Sequence, residues 1–159
     1  MRERTLVLIK PDAVRRRLVG EIIRRLEAKG LDVIAAKMLK FDKALTRAHY
    51  GQYADKPFYA GLSRFIRSGP CVAMVVEGED AIAQVRKMMG GTRPADAEPG
   101  TIRGDLASDT TANVVHGSDS PKTAKREIRL FFRKAEMFGA DRTGRSGPRG
   151  RRPARNERA

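Results

Sequence analysis

The hydrophobic positions of this chain alternate between short continuous apolar runs and helical spacing. Residues 5–9 and 71–76 form continuous apolar runs rich in β-branched side chains, which predicts two buried strands, and residues 31–41 predict another strand between them. Pro11 ends the first strand, because proline cannot donate a hydrogen bond to a sheet ladder. A helical face follows at spacings of three and four, made of Val19, Ile22, Ile23 and Leu26. Gly30 is the expected stop of this helix.

The rest of the chain adds helices to this pattern. Three are predicted over residues 46–53, 58–67 and 81–89. Ser120 is the predicted N-cap of a last helix, with Pro121 at its first position. The order strand, helix, strand, then strand, helix favours an α+β fold with a split βαβ arrangement, in which helices pack on one face of an antiparallel sheet.

Residues 90–117 form a long segment without a clear hydrophobic period, and the segment contains Pro94 and Pro99. Long irregular segments inside a domain are usually functional or disordered. This segment also holds polar residues suited to ligand contacts, among them Thr92, Arg103 and Asn113. We therefore predict a binding loop rather than a linker.

A change in composition near residue 139 divides the chain into a predicted domain, residues 1–139, and a tail, residues 140–159. The tail is rich in arginine, glycine and proline and carries seven arginines against two acidic residues, which predicts disorder. The whole chain has a formal net charge of +14, and the part before the tail is basic in its own right. This charge favours polyanionic partners, which include phosphorylated small molecules, nucleic acid and anionic membrane surfaces.

Cysteine usage and hydropathy set further bounds on the class of protein. The single cysteine, Cys71, excludes an intrachain disulfide, and its apolar neighbours favour a buried hydrophobic role over a catalytic thiol. No cluster of cysteine and histidine along the sequence indicates a zinc site. No signal-peptide pattern and no apolar stretch of transmembrane length is present, so we expect a soluble, cytoplasmic protein without membrane association.

His116 is the candidate nucleophile. It lies in a dense polar stretch, residues 113–119, and a neutral imidazole is a competent nitrogen nucleophile near neutral pH. Such a role needs a partner for the other ring nitrogen, and Glu127 on the following helix could reach back to supply it. The alternative is an ordinary structural or surface histidine, which is the interpretation that we give to His49. The sequence contains no Walker motif and no protein-kinase loop set, so if the protein is a kinase it must bind and transfer phosphate through other residues.

Several cations and aromatic residues are candidates for holding a phosphorylated ligand. Lys10 directly follows a buried strand and so lies at a sheet end, where ligands often bind. Arg86, Arg93 and Arg103 could clamp phosphates in bidentate fashion, although each could equally be a surface arginine. Phe58 could stack on a base or belong to the core, and Tyr50 could offer a phenolic hydrogen bond or close a helix end.

At this point several ordered motifs agree with one family. The N-terminal stretch 3–13 and the stretch 18–23 resemble nucleoside diphosphate kinases, as do 56–59, 68–70, 92–96 and 99–105. The most specific motif is Asn-x-x-His-Gly-Ser-Asp-Ser at residues 113–120. The resemblance covers roughly residues 2–138 and implies a ferredoxin-like domain. It also implies a ping-pong reaction, in which a nucleoside triphosphate such as ATP phosphorylates His116 and a nucleoside diphosphate then takes the phosphate, so that triphosphate pools are maintained.

The resemblance also implies roles for individual residues. The catalytic set would be His116 as the nucleophile, Ser118 and Glu127 as its hydrogen-bonded support, and Lys10 and Tyr50 beside the reacting phosphate. The nucleotide-binding set would be Lys10, Phe58, Arg86, Thr92, Arg103 and Asn113. Within this set, Phe58 would stack on the base and Asn113 would bond the ribose, which leaves the base edges unread and many bases acceptable.

Cofactor and partners follow from the same resemblance. Mg²⁺ would be held by nucleotide phosphates and water, without direct protein ligands, and the chain would form a homo-oligomer, either a tetramer or a hexamer. Three positions, Ala112, Gly91 and Arg93, depart from common family residues, which could alter nucleotide affinity or subunit contacts. Two other hypotheses stay open at this stage, namely nucleic-acid binding through the basic tail and a relative that has lost activity and acts as a scaffold.

Overall fold

Four antiparallel strands form the sheet of the computed structural model, which describes residues 1–139. They are β1 (Arg2–Ile9), β2 (Asp32–Lys40), β3 (Pro70–Glu79) and β4 (Val115–Gly117). The spatial order is β2-β3-β1-β4, with every neighbouring pair antiparallel. The predicted strands over residues 5–9, 31–41 and 71–76 are confirmed, and so is the split βαβ class.

Seven α-helices connect and cover these strands in the described part of the chain. They are α1 (Pro11–Arg15), α2 (Val19–Ala28), α3 (Lys43–Tyr50), α4 (Tyr59–Ile66), α5 (Ala81–Met89), α6 (Ile102–Leu106) and α7 (Pro121–Phe131). Short 3-10 turns occupy Gly51–Tyr53, Pro94–Asp96 and Lys134–Glu136. None of the helices in residues 1–139 is long and apolar enough to cross a bilayer.

The sheet is covered on both faces, so the prediction of helices on one face was wrong. Alternate residues of β1 explain the two layers, because successive side chains of a strand point to opposite faces. Val7 and Ile9 pack with helices α2 and α5, whereas Leu6 and Leu8 pack with α3, α4 and α7. Residues 71–76 of β3 are almost wholly buried, as a strand between two helical layers must be.

Caps fix where the helices begin. Asp42 accepts a hydrogen bond from the Leu45 amide and starts α3 three residues before the predicted bound at residue 46. The Ser120 hydroxyl accepts from the Thr123 amide at 3.1 Å, with Pro121 in first position, which confirms the predicted start of α7. Gly30 has a φ of +88°, which confirms it as the end of the α2 segment.

The segment 90–117 contains more regular structure than we predicted. Thr101 caps the one-turn helix α6 by accepting from the Gly104 amide at 3.0 Å, and β4 pairs with β1 at the end of the segment. Both elements are too short to produce a hydrophobic period, so the sequence pattern could not reveal them. The same reason explains why α1 was missed. The predicted tail, residues 140–159, lies outside the described residues.

Candidate active site

Strand β4, at the edge of the sheet, places His116 beside β1. Its register pairs Leu8 with His116 and Ile9 with Val115. Because side chains alternate along a strand, Val115 enters the core on the α5 side and His116 points to the opposite face, where α7 lies. Gly117 allows β4 to approach α5 closely, because a Cβ at this position would lie 2.6 Å from Met89 Sδ and 2.9 Å from Val85 Cγ1.

Helix α7 supplies the partner of the histidine. Glu127 is buried, and its Oε2 lies 2.8 Å from His116 Nε2. The Ser118 hydroxyl donates to the same oxygen at 3.2 Å, and it accepts from the Leu6 amide at 3.3 Å. The carboxylate therefore receives bonds from two directions, and the imidazole is oriented through Nε2. His116 itself keeps 23% of its side chain exposed, so the ring can be reached from the cavity.

Asn113 and Lys10 form a buried polar pair beside this histidine. Lys10 Nζ donates to Asn113 Oδ1 at 2.7 Å, and the amide of Asn113 donates to the carbonyl oxygens of Thr110 and Thr92. Burial lowers the pKa of Lys10 to about 8, and the nearby Arg103 guanidinium acts in the same direction. The ammonium is held where a phosphate would offset the cost of its burial.

The backbone between this pair and β4 is strained. Val114 has a φ of +77°, a left-handed conformation that β-branched residues rarely adopt. Two hydrogen bonds maintain it, because the Val114 amide donates to Asp12 Oδ2 at 3.1 Å and the Val114 carbonyl accepts from the Lys10 amide at 2.9 Å. Strain of this kind persists only where the surroundings over-determine it, and it concentrates at functional sites.

Arg103 and Arg86 complete the cationic wall. Arg103 is buried on α6 and donates to the carbonyl oxygens of Gly90, Asn113 and Val115. Burial, together with the nearby Arg86 charge, lowers the pKa of Arg103 to about 10. Arg86 on α5 donates to the Gly117 carbonyl at 3.4 Å. The two guanidinium groups thus lie near one another, and within residues 1–139 neither forms a salt bridge, an arrangement suited to an anionic ligand.

These residues line one cavity of about 550 Å³. All but one of the predicted catalytic and nucleotide-binding residues line it: Lys10, Tyr50, Phe58, Arg86, Thr92, Arg103, Asn113, His116 and Glu127. The exception, Ser118, does not line the cavity but bonds Glu127. Phe58 is exposed at the mouth, with its ring 5.5 Å from that of Tyr53, so the core alternative for Phe58 was wrong. The structure also adds lining residues that the sequence motifs had not indicated, among them Gln52, Tyr53, Leu62, Thr110, Thr111 and Thr123.

Tyr50 and His49 lie at the inner end of the cavity. The Tyr50 hydroxyl is buried without a hydrogen-bond partner among the described residues, and burial together with the Glu127 carboxylate raises the pKa of this phenol. The ring of His49 contacts His116 edge-on at 4.8 Å between centroids. His49 is buried, which excludes the exposed form of our prediction, and its contact with His116 had no signal in the sequence.

The three departures from the family pattern lie away from the reacting groups. Arg93 forms an exposed ion pair with Asp96 at 2.6 Å and does not line the cavity, so its predicted alternative as a phosphate clamp finds no support. The Ala112 amide donates to Asp109 Oδ1 at 2.9 Å. Gly91 packs against the Asp96 backbone, because a Cβ there would lie 3.1 Å from its carbonyl oxygen.

The residues available for a metal are few. Of the described residues that line the cavity, two are carboxylates, Asp119 and Glu127, and Glu127 already bonds His116 and Ser118. A hard cation that takes six oxygen ligands therefore finds no protein cage among these lining residues.

Comparison with known proteins places this geometry in context. The family model described as "Nucleoside diphosphate kinase" matches residues 3–137. A nucleoside diphosphate kinase of Mycolicibacterium vanbaalenii is 60% identical over 133 residues, covering 83% of this chain and 98% of the relative. One from Thermus thermophilus is 56% identical over 136 residues, covering 86% and 99%. A solved structure of a halophilic nucleoside diphosphate kinase from Halobacterium salinarum in complex with CDP is 50% identical, with a TM-score of 0.84, covering 86% of this chain and 91% of that one.

Proposed function

The chain belongs to the nucleoside diphosphate kinase family and is an enzyme of nucleotide phosphotransfer, and we propose that His116 carries the phosphate between its two half-reactions. The observation that carries this proposal is the bond between His116 Nε2 and Glu127 Oε2 at 2.8 Å. A neutral imidazole has one N–H and one lone pair. When the proton lies on Nε2 and is donated to Glu127, the lone pair belongs to Nδ1, which becomes the nucleophile.

The first half-reaction then follows from the arrangement of the site. Nδ1 of His116 attacks the terminal phosphorus of a nucleoside triphosphate, the N–P bond forms, and the P–O bond to the leaving diphosphate breaks with its electron pair on that oxygen. Positive charge develops on the imidazole, and the buried Glu127 carboxylate stabilises this charge because it accepts a hydrogen bond from Nε2, the ring nitrogen opposite the nucleophile. Ser118 holds the carboxylate in place. A nucleoside diphosphate reverses these steps and leaves as a triphosphate.

The cationic wall serves the phosphates. Lys10, Arg86 and Arg103 converge on the cavity, and each has N–H groups that a phosphate oxygen can accept from. Thr92 lines the same wall and adds a hydroxyl. The Tyr50 hydroxyl lacks a partner in the described structure, and a phosphate oxygen would supply one. The same groups would bind the transferred phosphate in both half-reactions, as a ping-pong mechanism requires.

The nucleoside binds toward the mouth of the cavity. The exposed ring of Phe58 offers a stacking face, and stacking accepts any base because every base has a π-face. We propose that Asn113, which is held by Lys10 and by two carbonyls, bonds the ribose. The CDP complex of the Halobacterium salinarum relative supports a nucleotide in this cavity.

A kinase of this family uses a divalent metal ion, and we propose that the ion is Mg²⁺. When bound, it would neutralise and orient the phosphate oxygens. On the protein side, the negative charge of the phosphates would be neutralised by Lys10, Arg86 and Arg103, the cationic residues that line the cavity.

We also propose a homo-oligomer, in keeping with the family. Size-exclusion chromatography with light scattering tests this, and a monomer mass would refute it. We propose further that residues 1–139 form the catalytic domain, which fits the family match over residues 3–137. Nucleic-acid binding by the tail concerns residues outside the described part and stays a prediction.

Intact-protein mass spectrometry after incubation with ATP and Mg²⁺ tests the central proposal, using the wild type and His116→Ala. We expect one added phosphate on the wild type, labile to acid and removed by a nucleoside diphosphate, and none on the variant. An unmodified wild type that nevertheless binds nucleotide would contradict the phosphohistidine mechanism. An adduct on both proteins would place the phosphate on another residue.

A further inference from the structure

The imidazole of His49 is buried without any apparent use. The residue is 2% exposed, and neither ring nitrogen has a hydrogen-bond partner among residues 1–139. Polar atoms buried in this way destabilise a fold, because they lose their bonds to water. Burial, reinforced by the nearby His116, lowers the pKa of His49. A neutral imidazole has one ring nitrogen with a free lone pair, and here no group of the described chain accepts or donates at either nitrogen.

This lone pair lies beside two other donors. One ligand atom from each of His49, His116 and Glu127 can be chosen such that all three lie within 4.8 Å of one another. The three residues come from α3, β4 and α7, and all of them line the cavity, so an ion from solvent can reach them. The site thus combines two imidazoles, one carboxylate and an open side.

We propose that His49, His116 and Glu127 bind a borderline transition-metal ion, Zn²⁺ in the first instance, and that this ion reversibly inhibits the enzyme. Two histidines and one glutamate are a recurrent zinc ligand set with a fourth position left open. Imidazole nitrogens suit zinc and copper, whereas Mg²⁺ takes oxygen ligands, so the site discriminates against the ion that accompanies the nucleotide.

The geometry requires a modest adjustment. Donors about 2.0–2.1 Å from a tetrahedral zinc lie roughly 3.4 Å apart. His116 Nε2 and Glu127 Oε2 are already at 2.8 Å and need to separate slightly. The His49 nitrogen has to approach, which requires its ring to shift within its edge-on contacts with Phe41, Tyr50 and Phe131; no hydrogen bond opposes this shift.

Inhibition follows from the electron count of the ring, and this part of the inference rests on the proposed role of His116. A metal on Nε2 binds through the lone pair of that nitrogen, so Nε2 can no longer carry the proton. The single N–H of the neutral imidazole is then on Nδ1. Nδ1 then has no lone pair to attack phosphorus. The metal also draws Glu127 away from its hydrogen bond with the ring. The enzyme would be inactive until the metal dissociates or is chelated.

The composition of the chain makes the test sharp. The sequence contains two histidines and one cysteine, so His49 and His116 are its only imidazoles. Nucleotide-free protein is titrated with Zn²⁺ in a calorimeter, and with Co²⁺ as a visible-light probe of tetrahedral coordination. We expect one Zn²⁺ per chain. His49→Phe keeps an aromatic ring but loses the ligand, and its affinity should fall by at least about tenfold, since even outer-shell changes at metal sites cost 10–100-fold.

Controls separate this site from others. Cys71→Ala removes the only thiol and should leave Zn²⁺ affinity unchanged. Glu127→Gln serves as a second ligand variant in case His49→Phe does not fold, and it too should bind at least about tenfold more weakly. No stoichiometric Zn²⁺ binding to the wild type would overturn the proposal, as would equal affinity in folded His49→Phe.

The inhibitory part is measured as the rate of phosphorylation by ATP and Mg²⁺ at buffered free Zn²⁺, relative to each variant's own uninhibited rate. We expect wild type to be inhibited and rescued by chelation, and His49→Phe to need at least about tenfold more Zn²⁺. Zn²⁺ that binds at full stoichiometry without slowing phosphorylation would refute inhibition. Zn²⁺ binding as expected to a protein that forms no phosphohistidine would leave the metal site standing and contradict the proposed function instead.

Discussion

Replacement of Glu127 by glutamine tests whether the buried carboxylate activates His116. The substitution preserves shape and leaves a carbonyl oxygen that can still accept from Nε2, so it removes mainly the negative charge. Glu127 is 3% exposed and lies 2.8 Å from the ring, which places the interaction among charge-assisted bonds shielded from solvent. Such bonds contribute about 1.5–3 kcal/mol. With 1.36 kcal/mol per tenfold in rate, phosphorylation of Glu127→Gln should slow by about 10- to 150-fold.

The assay follows the phosphorylated fraction by intact mass in a single turnover, quenched at alkaline pH because phosphohistidine is acid-labile. Ser118→Ala removes a longer hydrogen bond, 3.2 Å, to the same carboxylate and acts on the ring only through Glu127, so it should slow the step, but by less than Glu127→Gln does. Glu136→Gln makes the same chemical change at a glutamate that does not line the cavity, and its rate should match the wild type. A folded Glu127→Gln protein that is phosphorylated at the wild-type rate would refute the proposed activation.

Three further predictions concern other parts of the site. The pKa of Lys10 in the folded protein, about 8, lies below its ordinary 10.5, so kcat/KM should decline above about pH 8 as the ammonium is lost. Between these two pKa values the unfolded chain binds more protons than the folded one, so the free energy of unfolding should rise with pH. A kcat/KM that stays constant up to about pH 9.5 would contradict the first expectation. Phe58→Ala should raise KM about 5- to 150-fold by removing a stacking face worth about 1–3 kcal/mol, while the similarly exposed Phe138→Ala changes nothing in steady-state kinetics. Gly117→Ala should destabilise the fold by about 1–3 kcal/mol in urea titration through its clash with α5, whereas Gly61→Ala, in an open position of α4, should stabilise it slightly.

Much of the fold could be predicted because its main elements are long enough to show a period. The strand over residues 5–9 and the helix Ala81–Met89 have patterns of hydrophobic positions that survive in the structure. The elements that were missed are β4, α1 and α6, with three, five and five residues. An element of that length has too few positions for a period, and tertiary contacts fix it instead. The second layer of helices was missed although the sequence contained its signal, since a continuous apolar strand puts apolar side chains on both faces of a sheet and both faces must then be covered.

The residues of the site could be named from motifs, but their contacts could not. The approach of Glu127 to His116 was foreseen from their spacing across a turn and a helix, and the structure agrees. The pairing of Lys10 with Asn113 spans 103 residues and depends on β4 lying beside β1. No local pattern encodes such a contact. The same holds for the approach of His49 to His116, which requires α3 to pack on the face of the sheet to which His116 points.

Burial of polar groups shows where this fold gives up stability for function. Ten polar or charged residues are buried in the described chain, and five of them line the cavity: Lys10, His49, Arg103, Asn113 and Glu127. Desolvation makes such groups costly unless they are bonded. Four of the five have hydrogen-bond partners. The hydroxyl of Tyr50, which also lines the cavity, lacks one in the described chain, and so do both nitrogens of His49. A phosphate oxygen can accept from the tyrosine hydroxyl, and a metal ion can bind one nitrogen of His49 at the expense of the nucleophile. The unpaired atoms of the cavity therefore favour ligands that can pair with them, and such a ligand should raise the melting temperature of the protein by an amount that grows with the logarithm of its concentration over its Kd.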